Sequence, residues 1–203
     1  MSISNANATW ATALVQGLAQ SGVTQAVISP GSRNTPIILA LDRCPEITTQ
    51  VVLDERAAAF VALGMSRSSG APTALVCTSG SACAHYLPAL IEARYSRIPL
   101  LVLTADRPTE LHDCGAPQTI DQEKIFGKHV VASFELTAPH ATGVDLAKAT
   151  TVAVESVHSA TASPMGPVHL NVPFREPLWQ HEDTNINEIE ISVGSLGSTT
   201  ENL

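Results

Sequence analysis

The chain has 203 residues, of which 44% are apolar and 15% charged, and a formal charge of −8 at neutral pH. This fits one domain with a full buried core and excludes a disordered polar chain. The acidic balance argues against a nucleic-acid or anionic-membrane surface, but leaves room for local basic spots that take small acidic substrates.

In chain order, residues 9–20 carry Trp10, Leu14, Val15 and Leu18 at helical spacing, and Gly22 stops that helix. Ala26-Val27-Ile28 makes a short strand over 25–29. Pro30-Gly31-Ser32-Arg33-Asn34 breaks the chain, and 35–43 reads as a helix with Pro36 in its first turn. Residues 48–53 form a second strand, which runs directly into a helix from Glu55 to about Ser69. Gly70-Ala71-Pro72 turns the chain into a third strand, 73–78. Ser79-Gly80-Ser81 leads into a helix over 82–96, and 99–105 is a fourth buried strand. The stretch 106–122, rich in Pro, Gly, Asp and Thr, is long for a plain connector and is expected to be functional. A short strand over 130–136, a helix over 144–160 and a last strand over 167–172, ended by Pro173, complete the pattern. From Trp179 the composition turns polar and Gly/Ser/Thr-rich, so 1–178 reads as the domain and 179–203 as a linker.

Strands alternating with helices, and continuous apolar strands, imply an α/β fold: a parallel sheet of five or six strands with helices on both faces. No apolar run reaches membrane-spanning length, and the first residues lack the basic and apolar regions of a signal peptide. Cys44, Cys77, Cys83 and Cys114 form no C-x-x-C pair and read as reduced cytoplasmic thiols, two of them in the core. No metal site is expected on this chain.

Four strand ends carry polar loops: 29–34, 54–56, 78–81 and 104–108. In a parallel sheet all four lie on one edge, where open α/β sheets bind ligands. Asp54 and Glu55 suit the start of a helix, as cap and dipole partner, and also put a carboxylate on that edge. Pro30-Gly31-Ser32-Arg33 can offer backbone N–H groups and a guanidinium to an anion, or be an ordinary turn. Thr78-Ser79-Gly80-Ser81 allows a ligand close to the backbone, or simply caps a helix. Asp106-Arg107 brings a second guanidinium, with surface pairing to Asp106 as the plain alternative. Gln118 and Gln122 are hydrogen-bonding residues of the long loop. His85 and His169 read as core or surface residues, and His112-Asp113 as adjacent groups that do not face each other. Neither a P-loop, nor G-x-G-x-x-G, nor a G-x-S-x-G elbow occurs.

Taken together, Ser29-Pro30-Gly31-Ser32-Arg33-Asn34-Thr35-Pro36, Asp54-Glu55-Arg56, Cys77-Thr78-Ser79-Gly80-Ser81-Ala82, Leu103-Thr104-Ala105-Asp106-Arg107-Pro108 and Gly115-Ala116-Pro117-Gln118-Thr119-Ile120-Asp121-Gln122 resemble a known family. It is the 2-succinyl-5-enolpyruvyl-6-hydroxy-3-cyclohexene-1-carboxylate synthases of menaquinone biosynthesis; the resemblance is to their N-terminal, pyrimidine-binding domain and covers about residues 7–180 of this chain. It implies a thiamine-diphosphate enzyme that decarboxylates 2-oxoglutarate and adds the remaining four carbons to isochorismate. Glu55 would be catalytic and hold the cofactor's aminopyrimidine at N1′ in a protonated form, with Ala57, Ala58, Phe60 and Val61 as the apolar surroundings that keep it so. Thr78, Ser79 and Gly80 would complete the cofactor contact. Ser32, Arg33, Arg107 and Gln118 would bind substrate carboxylates and hydroxyls. The family holds the diphosphate through Mg²⁺ (or Mn²⁺) by a Gly-Asp-Gly motif that this sequence lacks. The chain therefore reads as the first domain alone, inactive by itself, of a cytoplasmic homodimer or homotetramer. Two other readings stay open: a different thiamine-diphosphate 2-oxoacid enzyme, which would share Glu55 but not explain Arg33 with Arg107, and a non-catalytic oligomerisation or acid-binding domain.

Overall fold

In the computed structural model, residues 2–140 and 144–179 are described; apart from Trp179, the expected linker lies outside them. Six strands form one parallel sheet in the order β2-β1-β3-β4-β6-β5. They are β1 (Gln25–Ile28), β2 (Thr48–Val51), β3 (Thr73–Cys77), β4 (Leu100–Asp106), β5 (Ala132–Glu135) and β6 (Pro167–Pro173). Every pairing is parallel, so all six C-terminal ends lie on one rim.

Alternation along the strands divides the core in two. Ala26, Ile28, Ala74, Val76, Leu101 and Leu103 point to one face, where α1 (Ile3–Gln20), α2 (Thr35–Asp42) and α5 (Leu146–Thr161) cover them. Val27, Leu75, Cys77, Leu100 and Val102 point to the other, under α3 (Glu55–Ser69) and α4 (Leu87–Ser96). β3, β4 and β6 are buried along their whole length, as strands covered on both faces must be.

Several local expectations are corrected. α1 begins at Ile3 rather than at residue 9, because Ser2 caps it through its hydroxyl, which accepts from Asn5 N–H at 3.2 Å. β2 is shorter than the expected 48–53. It is a fully exposed edge that ends at Val51, and Leu53 beyond it is 78% exposed. The helix expected over 82–96 is divided: Gly80–Tyr86 winds as a 3-10 segment and α4 starts at Leu87, with Pro88 in its first turn. Proline has no N–H to bond back to residue 84, so a continuous α-helix would lose that bond and gain a ring clash. Three cysteines, Cys44, Cys77 and Cys83, are buried rather than two.

The strand order reverses between β1 and β3, which makes that junction a switch point of the kind at which open α/β sheets bind ligands. The loops on either side touch there. A Cβ on Gly31 would stand 2.6 Å from the Cβ of Thr78, so only glycine lets the β1 loop rest on the β3 turn.

Candidate functional site

Glu55 opens α3 one turn past β2, behind the cap formed by Asp54, whose carboxylate accepts from Ala57 N–H at 2.8 Å. Its side chain is half-buried. Of its expected apolar neighbours, Ala58 is buried and Val61 half-buried, while Ala57 and Phe60 face outwards. The apolar enclosure is thus incomplete within this chain. Inward from Glu55 lie Cys77 and Tyr86. Burial above all holds both groups well above their usual range; Cys83 adds to it at Cys77 and Cys77 adds to it at Tyr86, and the charge of Glu55 acts in the same direction. The Tyr86 hydroxyl is buried with no hydrogen-bond partner, so this corner holds an unused polar group beside the carboxylate.

Arg33 follows β1 and is only 4% exposed. Its guanidinium reaches the end of β6: Nη1 donates to the Phe174 carbonyl at 2.8 Å and Nη2 to Glu176 Oε1 at 2.9 Å, while Nε is buried without a partner. Arg107 follows β4 and is half-buried. Its Nη1 donates to Ser79 Oγ in a very short contact and to the Gln118 carbonyl at 2.9 Å. Burial, and then the like charge of Arg33, push the Arg107 guanidinium below its usual range, against the pull of Asp106 and Glu176. The two guanidiniums, 74 positions apart by number, therefore stand within electrostatic reach on one rim.

The β3 turn is less open than expected. Gly80 has φ +83°, and its N–H already donates to Gln122 Oε1 at 2.6 Å. A Cβ there would stand 2.8 Å from Gln118 Cγ, so the glycine admits Gln118 rather than leaving its backbone free for a ligand. Gln118 Nε2 in turn donates to the Ser79 carbonyl at 2.9 Å. Ser79 is buried, Thr78 half-buried and Ser32 exposed. Asp106 does not form a surface pair with the Arg107 guanidinium. It is buried, accepts from the Arg107 backbone N–H at 2.7 Å and from Asn171 Nδ2 at 2.9 Å, and burial raises its carboxyl above the usual range. His112 Nε2 lies 3.0 Å from the Arg107 carbonyl and 3.9 Å from Asp106 Oδ2, and so faces these groups rather than Asp113.

Residues 8–125 match the family described as thiamine pyrophosphate enzyme, N-terminal TPP binding domain. The chain belongs to that thiamine pyrophosphate enzyme family. Its curated relatives include three proteins named 2-succinyl-5-enolpyruvyl-6-hydroxy-3-cyclohexene-1-carboxylate synthase. The one from Geobacillus kaustophilus (strain HTA426) is 50% identical over 191 residues, 94% of this chain and 33% of the relative. The one from Geobacillus thermodenitrificans (strain NG80-2) is 51% identical over 209 residues, 99% of this chain and 36% of the relative. The one from Haloquadratum walsbyi (strain DSM 16790 / HBSQ001) is 53% identical over 178 residues, 88% of this chain and 29% of the relative. The chain thus spans about a third of the length of these relatives. Among the described residues no helix is long and apolar enough to cross a membrane.

Within this thiamine pyrophosphate enzyme domain, Glu55, Arg33, Arg107, Thr78, Ser79, Gly80 and Gln118 all stand on the rim that the sequence pattern assigns them. Those that go unnoticed in the sequence are Asn171, Glu176 and Arg175; Gln122 is noticed there only as a loop residue able to hydrogen-bond, without its buried partners. Arg175 grips the Glu110 carboxylate with two donors and the Ala138 carbonyl at 3.0 Å, pinning the long loop to the end of β6. No spacing rule joins residues this distant; a polar side chain inside an apolar strand, such as Asn171, is the one signal available.

Proposed function

We propose that the chain is the pyrimidine-binding domain of a 2-succinyl-5-enolpyruvyl-6-hydroxy-3-cyclohexene-1-carboxylate synthase, which joins the four-carbon remainder of 2-oxoglutarate to isochorismate in menaquinone biosynthesis. On this reading residues 1–178 are the domain, 179–203 lead to further domains that carry Mg²⁺ and the diphosphate contacts, and the working form is a cytoplasmic homodimer or homotetramer. The observation that carries the proposal is that Arg33 and Arg107 stand together on the rim that also bears Glu55. Both substrates are acids, and a planar guanidinium binds a carboxylate through paired donors.

The residues present fit the cofactor's pyrimidine in part. Glu55 is accessible on the rim, with the unpartnered hydroxyl of Tyr86 behind it, whereas the Gly80 N–H is already taken. When bound, thiamine diphosphate supplies the electron sink that decarboxylation of a 2-oxoacid requires. Glu55 would hold a proton against N1′ of the pyrimidine, and a second subunit packed over Phe60 and Ala57 would complete the apolar enclosure that keeps the acid protonated. Arg107 and Arg33 would bind and orient the carboxylates of the acceptor, isochorismate, with Ser32 and Gln118 as hydrogen-bonding helpers, so this part of the rim is the acceptor site.

The test is an assay of the full-length protein with thiamine diphosphate, Mg²⁺, 2-oxoglutarate and isochorismate. Product is expected with isochorismate and not with pyruvate as acceptor, and none from residues 1–203 alone. Glu55→Gln should lower kcat about 100-fold or more with an unchanged circular dichroism spectrum. Turnover with pyruvate, or a fully active Glu55→Gln variant, would overturn the reading.

A further inference from the structure

Gln122 lies on the loop after Arg107 and is fully buried. Its amide reaches three different elements. Oε1 accepts from Gly80 N–H at 2.6 Å, and Nε2 donates to the Ala105 carbonyl and to Asn171 Oδ1, each at 3.1 Å. These partners fix which way the amide points: one donor faces the oxygen, two acceptors face the nitrogen. Asn171 passes the link on. Its Oδ1 also accepts from Thr104 Oγ1 at 3.0 Å, and its Nδ2 donates to Asp106 Oδ2 at 2.9 Å. Asp106 Oδ1 takes the Arg107 N–H at 2.7 Å, and the Arg107 guanidinium returns to Ser79, the neighbour of Gly80. The hydrogen bonds close a ring across the ends of β3, β4 and β6.

We propose that Gln122 is a positioning residue for the acceptor site, because its amide fixes where Arg107, Gln118 and the Ser79-Gly80 turn stand. This rests on the reading of the rim as the acceptor site given above. The loop touches the turn twice: Gln118 from outside, with φ +56°, and Gln122 from inside. A residue held in the left-handed region needs its surroundings to keep it there. Gln122 is the buried anchor four positions along, so releasing it frees both Gln118 and the carbonyl that Arg107 grips. The ring acts as a unit, since each buried member satisfies the next.

The decisive variant is Gln122→Glu in the full-length protein. The side chain keeps its size and its acceptor for Gly80. Ionised, it sets an oxygen against the Ala105 carbonyl and Asn171 Oδ1; protonated, it can donate to one of them again. The other titratable groups around it are Asp106 and Arg107 at the end of β4, Cys83 below the turn and His169 on β6, and all are shared with the parent. Relative to the parent at each pH, KM for isochorismate is expected to rise about 10-fold or more at pH 8 and to recover to within about 3-fold by pH 6, with KM for 2-oxoglutarate within about 2-fold. Gln122→Asn, too short to span the three partners, should raise the same KM with no recovery, and it carries the test if the glutamate variant does not fold. An unchanged isochorismate KM, or a parallel loss in every kinetic constant that follows thermal stability, would overturn the proposal. Arg107→Lys separates the two levels. If it leaves KM for isochorismate unchanged, the acceptor-site reading fails; if it raises that KM while the Gln122 variants do not, only the role of Gln122 falls.

Discussion

Arg33 commits two of its donors to its own chain, which gives it a second role beside ligand binding. It ties the start of α2 to the end of β6, and the Phe174 carbonyl that it satisfies belongs to a fully buried residue. Removing the guanidinium leaves that acceptor unpaired, at a cost of about 1–3 kcal/mol for a buried polar group. Arg33→Ala is therefore expected to lose about 2–3 kcal/mol in urea denaturation, and Arg107→Ala, which releases the exposed Gln118 carbonyl and one serine hydroxyl, about 1 kcal/mol. Equal losses would show that the two arginines are not divided in this way. Arg33, Arg107 and Glu55 are legible in the sequence because each lies just past a strand, and the end of a parallel strand is a defined place. Asn171 and the buried partners of Gln122 are not. An amide in a loop gives no period, and the partner of Gln122 lies 49 positions away on β6. Asp106 beside Arg107 invites a surface pair, but its burial turns it instead towards Asn171 and the backbone.

At the scale of elements, the sheet was readable because both periods are clean: apolar residues alternate between its two helical layers in β3 and β4, and every second face of β1 follows suit. β2 departs from that rule since, as the edge strand, it has a neighbour on one side only. What no period reveals is how closely two helices approach. α1 crosses α5 at Gly17, where an added Cβ would stand 2.8 Å from the Cβ of Ala153 and 3.4 Å from the backbone of Thr150. Helix propensity alone favours Gly17→Ala by about 1 kcal/mol. The overlap works against it, and overpacking a core typically costs about 1–3 kcal/mol. The net expectation is a loss of about 1 kcal/mol, read from the urea midpoint. Ala153→Gly should cost stability in the parent but return it in the Gly17→Ala background, and additive effects in that cycle would remove close packing as the cause.

For the molecule as a whole, the buried polar chain couples stability to pH. His169 is fully buried between Thr104, which bonds Nε2 at 2.8 Å, and Ser133, with the edge of Phe126 against its ring at 4.8 Å. Burial lowers its pKa from 6.5 to about 4. The folded chain thus refuses a proton that the unfolded chain accepts, so the stabilisation is complete above pH 6.5 and is lost as the pH falls towards 4. For a shift of this size the loss between pH 7 and pH 5 is about 2 kcal/mol. Asp106 acts in the opposite sense: its carboxyl is raised in the fold, so acid relieves the cost of burying its charge. Glu110, lowered by its bond to Arg175, adds to the acid loss only below its usual value of 4.5. Glu110 separates from His169 along the pH axis, because His169 acts from pH 6.5 downwards, and Asp106 separates from it by sign. Urea midpoints should therefore fall from pH 7 to pH 5 in the parent, and His169→Gln, which keeps a polar group in the gap but takes up no proton, should flatten that slope. A variant that keeps the parent's slope would place the acid sensitivity elsewhere than in the core of the sheet.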